Sequence, residues 1–226
     1  MHITIFANGK INSPDIDLAP NTMVIAADGG GRHCLRLGIT PQVVIGDFDS
    51  LTEDESRRLE AGGAQLIRHP ADKDETDLEL ALDYAQKYYA QKYCAQKSGT
   101  TQITLYGLLG GRWDLSFANV LLLASERYAQ IDFRIIAGDT EMRILRGGET
   151  LKISGQPGDT VSAIPLGGPV QGLTYQGLKW PLENTSLPFG TPRGVSNTLV
   201  DQHATIALKE GLLLIVLTRH QLDFGD

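Results

Sequence analysis

Apolar and polar positions fall into two textures along this chain. Up to about residue 139, short apolar runs alternate with longer stretches of helical spacing; beyond about residue 142, helical spacing stops and short runs lie between turn-forming residues. The first texture predicts strands near residues 2–7, 23–27, 42–46, 65–68, 102–106 and 132–137. It predicts helices near residues 29–38, 53–61, 77–96 and 114–129. Such alternation implies βαβ crossovers and an open, mostly parallel sheet with helices on both faces. The second texture predicts strands at 150–154, 160–165, 170–175, 205–208 and 212–218, with Lys209-Glu210-Gly211 as a hairpin turn into the last. The expected fold is therefore α/β plus all-β, with domains 1–140 and 141–226, the second a small β-sandwich.

One helix start is marked locally. Thr76 and Glu79 have the T-x-x-E spacing of a capping box, which makes Asp77 the first helical residue. The tail of that helix carries a five-residue repeat: Ala85-Gln86-Lys87-Tyr88-Tyr89, Ala90-Gln91-Lys92-Tyr93-Cys94, then Ala95-Gln96-Lys97. Five is not a helical period, so the tract cannot keep one apolar face and reads as a solvated tail, closed by Gly99.

The apolar runs of the first half end at acids or glycines. Asp28 follows one run, Asp47 and Asp49 the next, then Asp72, Asp74 and Asp77, then Gly110-Gly111-Arg112 with Asp114, and finally Asp139. Ligands bind outside the carboxyl ends of strands in an open parallel sheet. Acids that recur at strand ends thus converge, and converging acids need a cation. Two like charges about 4 Å apart repel by about 4 kcal/mol at an effective dielectric near 20. Helix-dipole compensation returns only about 0.3–1 kcal/mol per acid. Oxygen-only ligands favour Mg²⁺ or a similarly hard ion over zinc.

Composition narrows the partner. The chain of 226 residues is 42% hydrophobic and 21% charged, ordinary for a globular protein with a sizeable core. A net charge of −7 argues against nucleic acid as the main partner, but a nucleotide remains open because Mg²⁺ bridges acids to phosphate. Cys34 and Cys94 lack metal or disulfide spacing, so reduced thiols and a cytoplasmic location are expected. The first residues read directly as a strand, with no signal-peptide pattern. The apolar run 212–217 is too short to span a bilayer. The five histidines have no metal-ligand spacing, and no nucleophile elbow is present.

Each motif has a plainer alternative. Gly46-Asp47-Phe48-Asp49-Ser50 places two carboxylates on one side of an extended chain, or else forms an Asx turn that ends a strand. Asp28-Gly29-Gly30-Gly31 offers backbone N–H groups to a phosphate at a helix start, although glycine-rich turns are common. Arg112 can fork onto phosphate oxygens, with Asp114 orienting it; alternatively Asp114 is a helix N-cap. In the second half Trp180 can stack on a cationic ring while Ser196 and Asn197 bond ring nitrogens; alternatively Trp180 is core and Ser196-Asn197 a turn.

Taken in order, these motifs resemble the thiamine pyrophosphokinase family over nearly the whole length. The resemblance runs from Ala7-Asn8-Gly9 and Ala27-Asp28-Gly29-Gly30 to Gly46-Asp47-Phe48-Asp49-Ser50 and Asp72-Lys73-Asp74 with Thr76-Asp77. It continues through Gly111-Arg112 with Asp114 and Asn119, Gly177-Leu178-Lys179-Trp180, Phe189-Gly190-Thr191 and Ser196-Asn197. It implies an α/β nucleotide-binding domain, a β-sandwich, and a homodimer in which thiamine lies between subunits. The implied reaction is ATP plus thiamine giving AMP plus thiamine diphosphate. By that likeness Asp47, Asp49 and Asp77 hold Mg²⁺; Asp28, Gly29, Gly30, Asp74, Thr76 and Arg112 serve the nucleotide; Asp77, Arg112 and Asp114 act in catalysis; Trp180, Ser196 and Asn197 grip thiamine. Gly31-Arg32-His33 and Arg112-Trp113-Asp114-Leu115 depart from the family's usual Ala-Asn and Arg-Phe-Asp-His, and the five-residue repeat has no family counterpart. Two rivals are a pyrophosphokinase of a hydroxymethylpterin and a non-catalytic nucleotide- or thiamine-binding regulator.

Overall fold

The computed structural model describes residues 2–11, 16–93 and 101–220, and the chain divides into two compact units, Met1–Ala137 and Gly138–Asp226. In the first unit β1 (His2–Phe6), β2 (Met23–Ala27), β3 (Val43–Gly46), β4 (Gln65–Arg68), β5 (Thr101–Tyr106) and β6 (Ile131–Ala137) lie in the order β6-β5-β1-β2-β3-β4. Every pairing within this set is parallel. Residues of both parities are buried in β2, as a sheet covered on both faces requires. The helices are α1 (Gly30–Leu37), α2 (Glu53–Ala61), α3 (Asp77–Tyr93) and α4 (Trp113–Ala124). Cys34 of α1 and Leu59 of α2 share a core with Phe6, Val24, Ala26 and Val44, while α3 packs on β2 and β3. The strand order reverses between β1 and β5, which sets a switch point at their carboxyl ends, with β2 and β3 following beside β1.

The local signals act where expected, with refinements. Thr76 Oγ1 accepts from the Glu79 N–H at 3.2 Å, while the Glu79 carboxylate meets Arg127 at 2.6 Å. A complete capping box sits on α2 instead, between Thr52 and Glu55. The fourth helix stops at Ala124, and a 3-10 turn (Glu126–Tyr128) fills the rest of the expected span. The repeat begins inside the core, because Ala85 is fully buried; Gln86 and Lys87 are exposed. Its last residues, with Cys94 and Gly99, lie outside the described residues.

The second unit has two antiparallel sheets. One has the order β12-β9-β14-β7, the other β11-β10-β13-β8. The strands are β7 (Thr140–Arg146), β8 (Thr150–Ser154), β9 (Thr160–Pro165), β10 (Val170–Gln176), β11 (Leu182–Leu187), β12 (Asn197–Thr198), β13 (His203–Ala207) and β14 (Leu212–Thr218). Alternate residues of β9 and β14 point into a core with Leu173, Tyr175 and Ile206. Three of these strands were not expected. β7 mixes Glu141, Arg143 and Arg146 into its run, β11 is mostly polar, and β12 is two residues long. The expected hairpin at Lys209-Glu210-Gly211 is a correction: β13 pairs in one sheet and β14 in the other, so this turn is a corner between sheets. No helix among the described residues is long and apolar enough to cross a membrane.

Candidate active site

Three aspartates meet at the carboxyl end of the parallel sheet. Asp28 leaves β2, Asp47 leaves β3 and Asp77 opens α3, and one carboxylate oxygen of each lies within 4.8 Å of the others. Gly46 makes this possible: a Cβ there would stand 2.9 Å from Asp28 Cβ and 3.0 Å from Asp77 Oδ1. Each pair of charges at that separation repels by about 3 kcal/mol at an effective dielectric of about 20. Asp28 is 2% exposed, and burial pushes its carboxyl above the usual range. Bonds from Ser50 and Gly29 N–H oppose that rise, and the charges of Asp77 and Asp49 add to it. Asp28 Oδ1 is buried with no hydrogen-bond donor, and Asp77 Oδ1 is buried with the Lys73 ammonium 2.8 Å away. A buried oxygen with no donor in an all-carboxylate cluster fits a hard divalent cation, which takes oxygen ligands.

Lys73 is the cation at hand. Its Nζ lies 2.8 Å from Asp77 Oδ1 and 3.7 Å from Asp47 Oδ2. Burial alone would lower the ammonium, but Asp77 and Asp47 outweigh it and hold it above the ordinary lysine value. Lys73 was not among the expected site residues; it lies in the loop before α3, where its spacing to Asp77 carries no helical-pair signal.

Asp49 takes a different position from Asp47. Phe48 has φ +65° and is buried, so the two acids do not share one side of an extended chain. Instead Asp49 N–H donates to Asp47 Oδ1 at 3.0 Å, forming an Asx turn, and Asp49 is exposed. Asn8 Nδ2 donates to Ser50 Oγ at 3.0 Å, and Ser50 Oγ donates to Asp49 Oδ1 at 2.9 Å. Arg68 supports the turn from behind: its Nη1 donates to Asp47 O at 3.2 Å and its guanidinium lies 4.6 Å from the Phe48 ring centre. Asp72, Asp74 and Thr76 are exposed around the start of α3. Gly29 and Gly30 are buried, and a Cβ at Gly30 would stand 1.9 Å from Phe6 O, so only glycine lets α1 approach β1.

Arg112 and Asp114 form an exposed ion pair. Bonding to Asp114 raises the Arg112 guanidinium, and the same bond holds the Asp114 carboxyl below its usual value. Arg112, not Asp114, occupies the N-cap position of α4, and no side chain caps it. Asp139 bonds Thr140 Oγ1 locally.

In the second unit Trp180 and Asn197 come together. Asn197 Oδ1 accepts from Trp180 N–H at 3.1 Å, and its Nδ2 donates to Trp180 O at 2.8 Å. Asn197 is buried, whereas Trp180 is 55% exposed with Lys179 Nζ 4.9 Å from its ring centre. Ser196 has φ +63°, and its N–H donates to Ser162 Oγ at 3.0 Å. An exposed indole whose backbone is clamped from both sides presents a rigid aromatic face.

These features define a class: an α/β unit with an acid-lined crevice of the kind that handles nucleotide phosphates, followed by an antiparallel β-sandwich with an aromatic platform. Comparison with known proteins narrows it. Residues 18–135 match the catalytic domain of thiamin pyrophosphokinase, and residues 149–213 match its vitamin B1 binding domain. The thiamine pyrophosphokinase of Bacillus subtilis is 32% identical over 217 residues, 95% of this chain and 97% of that one. The crystal structure of a Bacillus subtilis thiamine pyrophosphokinase aligns with a TM-score of 0.82 at 30% identity, covering 98% of this chain and all of that one. A structure from Geobacillus thermodenitrificans aligns at 0.79 and 28% identity, covering 98% and 99% of the two chains. The chain belongs to the thiamine pyrophosphokinase family.

Proposed function

We propose that this chain transfers the pyrophosphoryl group of ATP to the hydroxyl of thiamine, with Asp28, Asp47 and Asp77 holding Mg²⁺ and Asp49 completing the acidic rim. The carrying observation is the convergence of three carboxylates within 4.8 Å, with a buried Asp28 oxygen that has no donor. When bound, Mg²⁺ neutralises charge on the triphosphate. The chain's own residues position the reactants. The amino end of α1, opened by Gly29 and Gly30, faces the phosphates. Asp74 and Thr76 border the nucleotide. Arg112 meets the charge that develops on the transferred group, released from Asp114 as phosphate replaces it. The thiamine hydroxyl attacks the β-phosphorus in line; the bond to the α-phosphate oxygen breaks, AMP leaves, and Asp77 or Asp114 accepts the hydroxyl proton. Trp180 stacks on a thiamine ring, with Ser196 and Asn197 shaping the platform.

The working form in this proposal is a cytoplasmic homodimer with sites shared between subunits. Cys34 is buried and free, and burial pushes its thiol up to about 12, which keeps it unreactive. The exposed Trp113, Phe117 and Leu121, spaced four residues apart on α4, support a partner surface.

The test is AMP release with thiamine, ATP and Mg²⁺. Asp77→Ala should lower kcat by at least about 100-fold with the fold intact, as loss of a metal-holding acid requires. AMP production only with a hydroxymethylpterin, or ligand-induced stabilisation without AMP, would refute the assignment. Trp180→Ala should raise the KM for thiamine about tenfold or more and leave that for ATP nearly unchanged; equal effects on both would make the tryptophan a structural residue.

A further inference from the structure

Among the described residues, Lys73 is the charged group inside the carboxylate cluster that the proposed chemistry leaves unused. Its side chain is 10% exposed, and its ammonium touches two of the three aspartates. The third, Asp28, keeps a buried oxygen with no donor. We infer that Lys73 is a built-in stand-in cation, which occupies the metal position in the empty protein and moves onto the nucleotide's phosphates when ion and nucleotide enter.

A hard divalent ion binds carboxylate oxygens at about 2.0–2.1 Å and keeps part of its water shell. The ammonium, at 2.8 Å from Asp77 Oδ1 and 3.7 Å from Asp47 Oδ2, sits across the gap that such an ion needs. Ion and ammonium therefore compete for these oxygens. Once displaced, the ammonium cannot go far, because Lys73 is only four residues before Asp77, which opens α3. A flexible four-carbon stem tethered beside the cluster then reaches anions bound there, and the triphosphate is the anion the site admits. Lys73 thus opposes metal binding without nucleotide and favours nucleotide binding with metal. This inference rests on the carboxylate cluster being the metal site.

The experiment uses Mn²⁺ as a spectroscopically visible ion and ATP without thiamine, so no turnover occurs. Lys73→Met and Lys73→Gln are compared with the parent protein after thermal unfolding in chelator confirms that each is folded. Both variants should bind Mn²⁺ alone about tenfold more tightly, and ATP at saturating Mn²⁺ about tenfold more weakly. Lys73→Arg should restore ATP affinity, because it returns the charge. A lysine that only holds the loop would weaken both ligands together, which overturns the inference. So does unchanged Mn²⁺ affinity in both variants. If the parent protein takes up no Mn²⁺, or Asp47→Asn leaves uptake intact, the metal assignment itself fails and the lysine's role fails with it. Asp47-dependent uptake that the Lys73 variants do not strengthen removes the lysine's role alone.

Discussion

At Asp28 a buried oxygen without a donor, a backbone φ of +43° and two neighbouring aspartates coincide. Each feature is unfavourable to folding, and left-handed non-glycine backbone alone costs on the order of 1 kcal/mol or more. A carboxyl raised above its unfolded value makes the ionised form a net cost at neutral pH. Asparagine tolerates positive φ and carries no charge to bury. Asp28→Asn should therefore raise the thermal midpoint in chelator by about 2–4 °C, the scale of about 1 kcal/mol in a chain of this size. The same change should weaken Mn²⁺ binding. A lower midpoint at neutral pH would mean that Asp28 stabilises the empty protein. The sequence offered Asp28 as an acid at a strand end, but grouped Asp47 with Asp49 by their spacing. Phe48, with φ +65°, breaks the extended chain that the spacing assumed and puts the pair in an Asx turn; a single aromatic between two acids gives no such signal.

Among the elements, α2 depends most visibly on one side chain. Glu55 accepts from Thr52 N–H at 2.9 Å and from Arg32 Nε at 2.7 Å. Arg32 also donates to the Ser50 carbonyl, so the cap of α2 and the Asp47–Ser50 turn share one guanidinium. The Arg32 bonds, then the Thr52 N–H, hold the Glu55 carboxyl down to about 2 from an ordinary 4.5. A depressed acid contributes stability above its unfolded value and loses it as the pH falls toward the folded one. Glu55→Gln should thus flatten the decline in stability between pH 4.5 and about 2. At neutral pH it should cost about 1 kcal/mol, and less at high salt because Arg32 is half exposed. Unfolding titrations across that range measure both; an unchanged acid limb would detach Glu55 from it. Helices and buried strands were legible because their periods are unambiguous over many residues. β7, β11 and β12 were not: Glu141 and Arg143 pair within β7, β11 is mostly polar, and β12 is two residues long, so none shows an apolar run. Lys209-Glu210-Gly211 looked like a hairpin because turn residues fix a bend and not the sheet that the next strand joins.

For the whole molecule, the exposed stripe on α4 is the clearest unmet surface. Trp113 is 88% exposed and Phe117 64%. Aromatic side chains bury about 150–250 Å² each, so covering two is worth several kcal/mol per subunit at about 25 cal/mol per Å². The proposed homodimer predicts that Trp113→Ser with Phe117→Ser shifts sedimentation toward monomer; an unaltered sedimentation coefficient would rule this face out as the contact. The second unit has a different global property. Strands β7, β9, β12 and β14 build one sheet, β8, β10, β11 and β13 the other, and β14 lies between β7 and β9. Almost every connection therefore changes layer, and neither sheet is built from an uninterrupted run of strands. A frameshift that deletes only the final strand takes the middle out of one layer and strips the cover from its opposite. Nascent chains interrupted there should yield substrates for quality-control proteases in place of half-active enzyme.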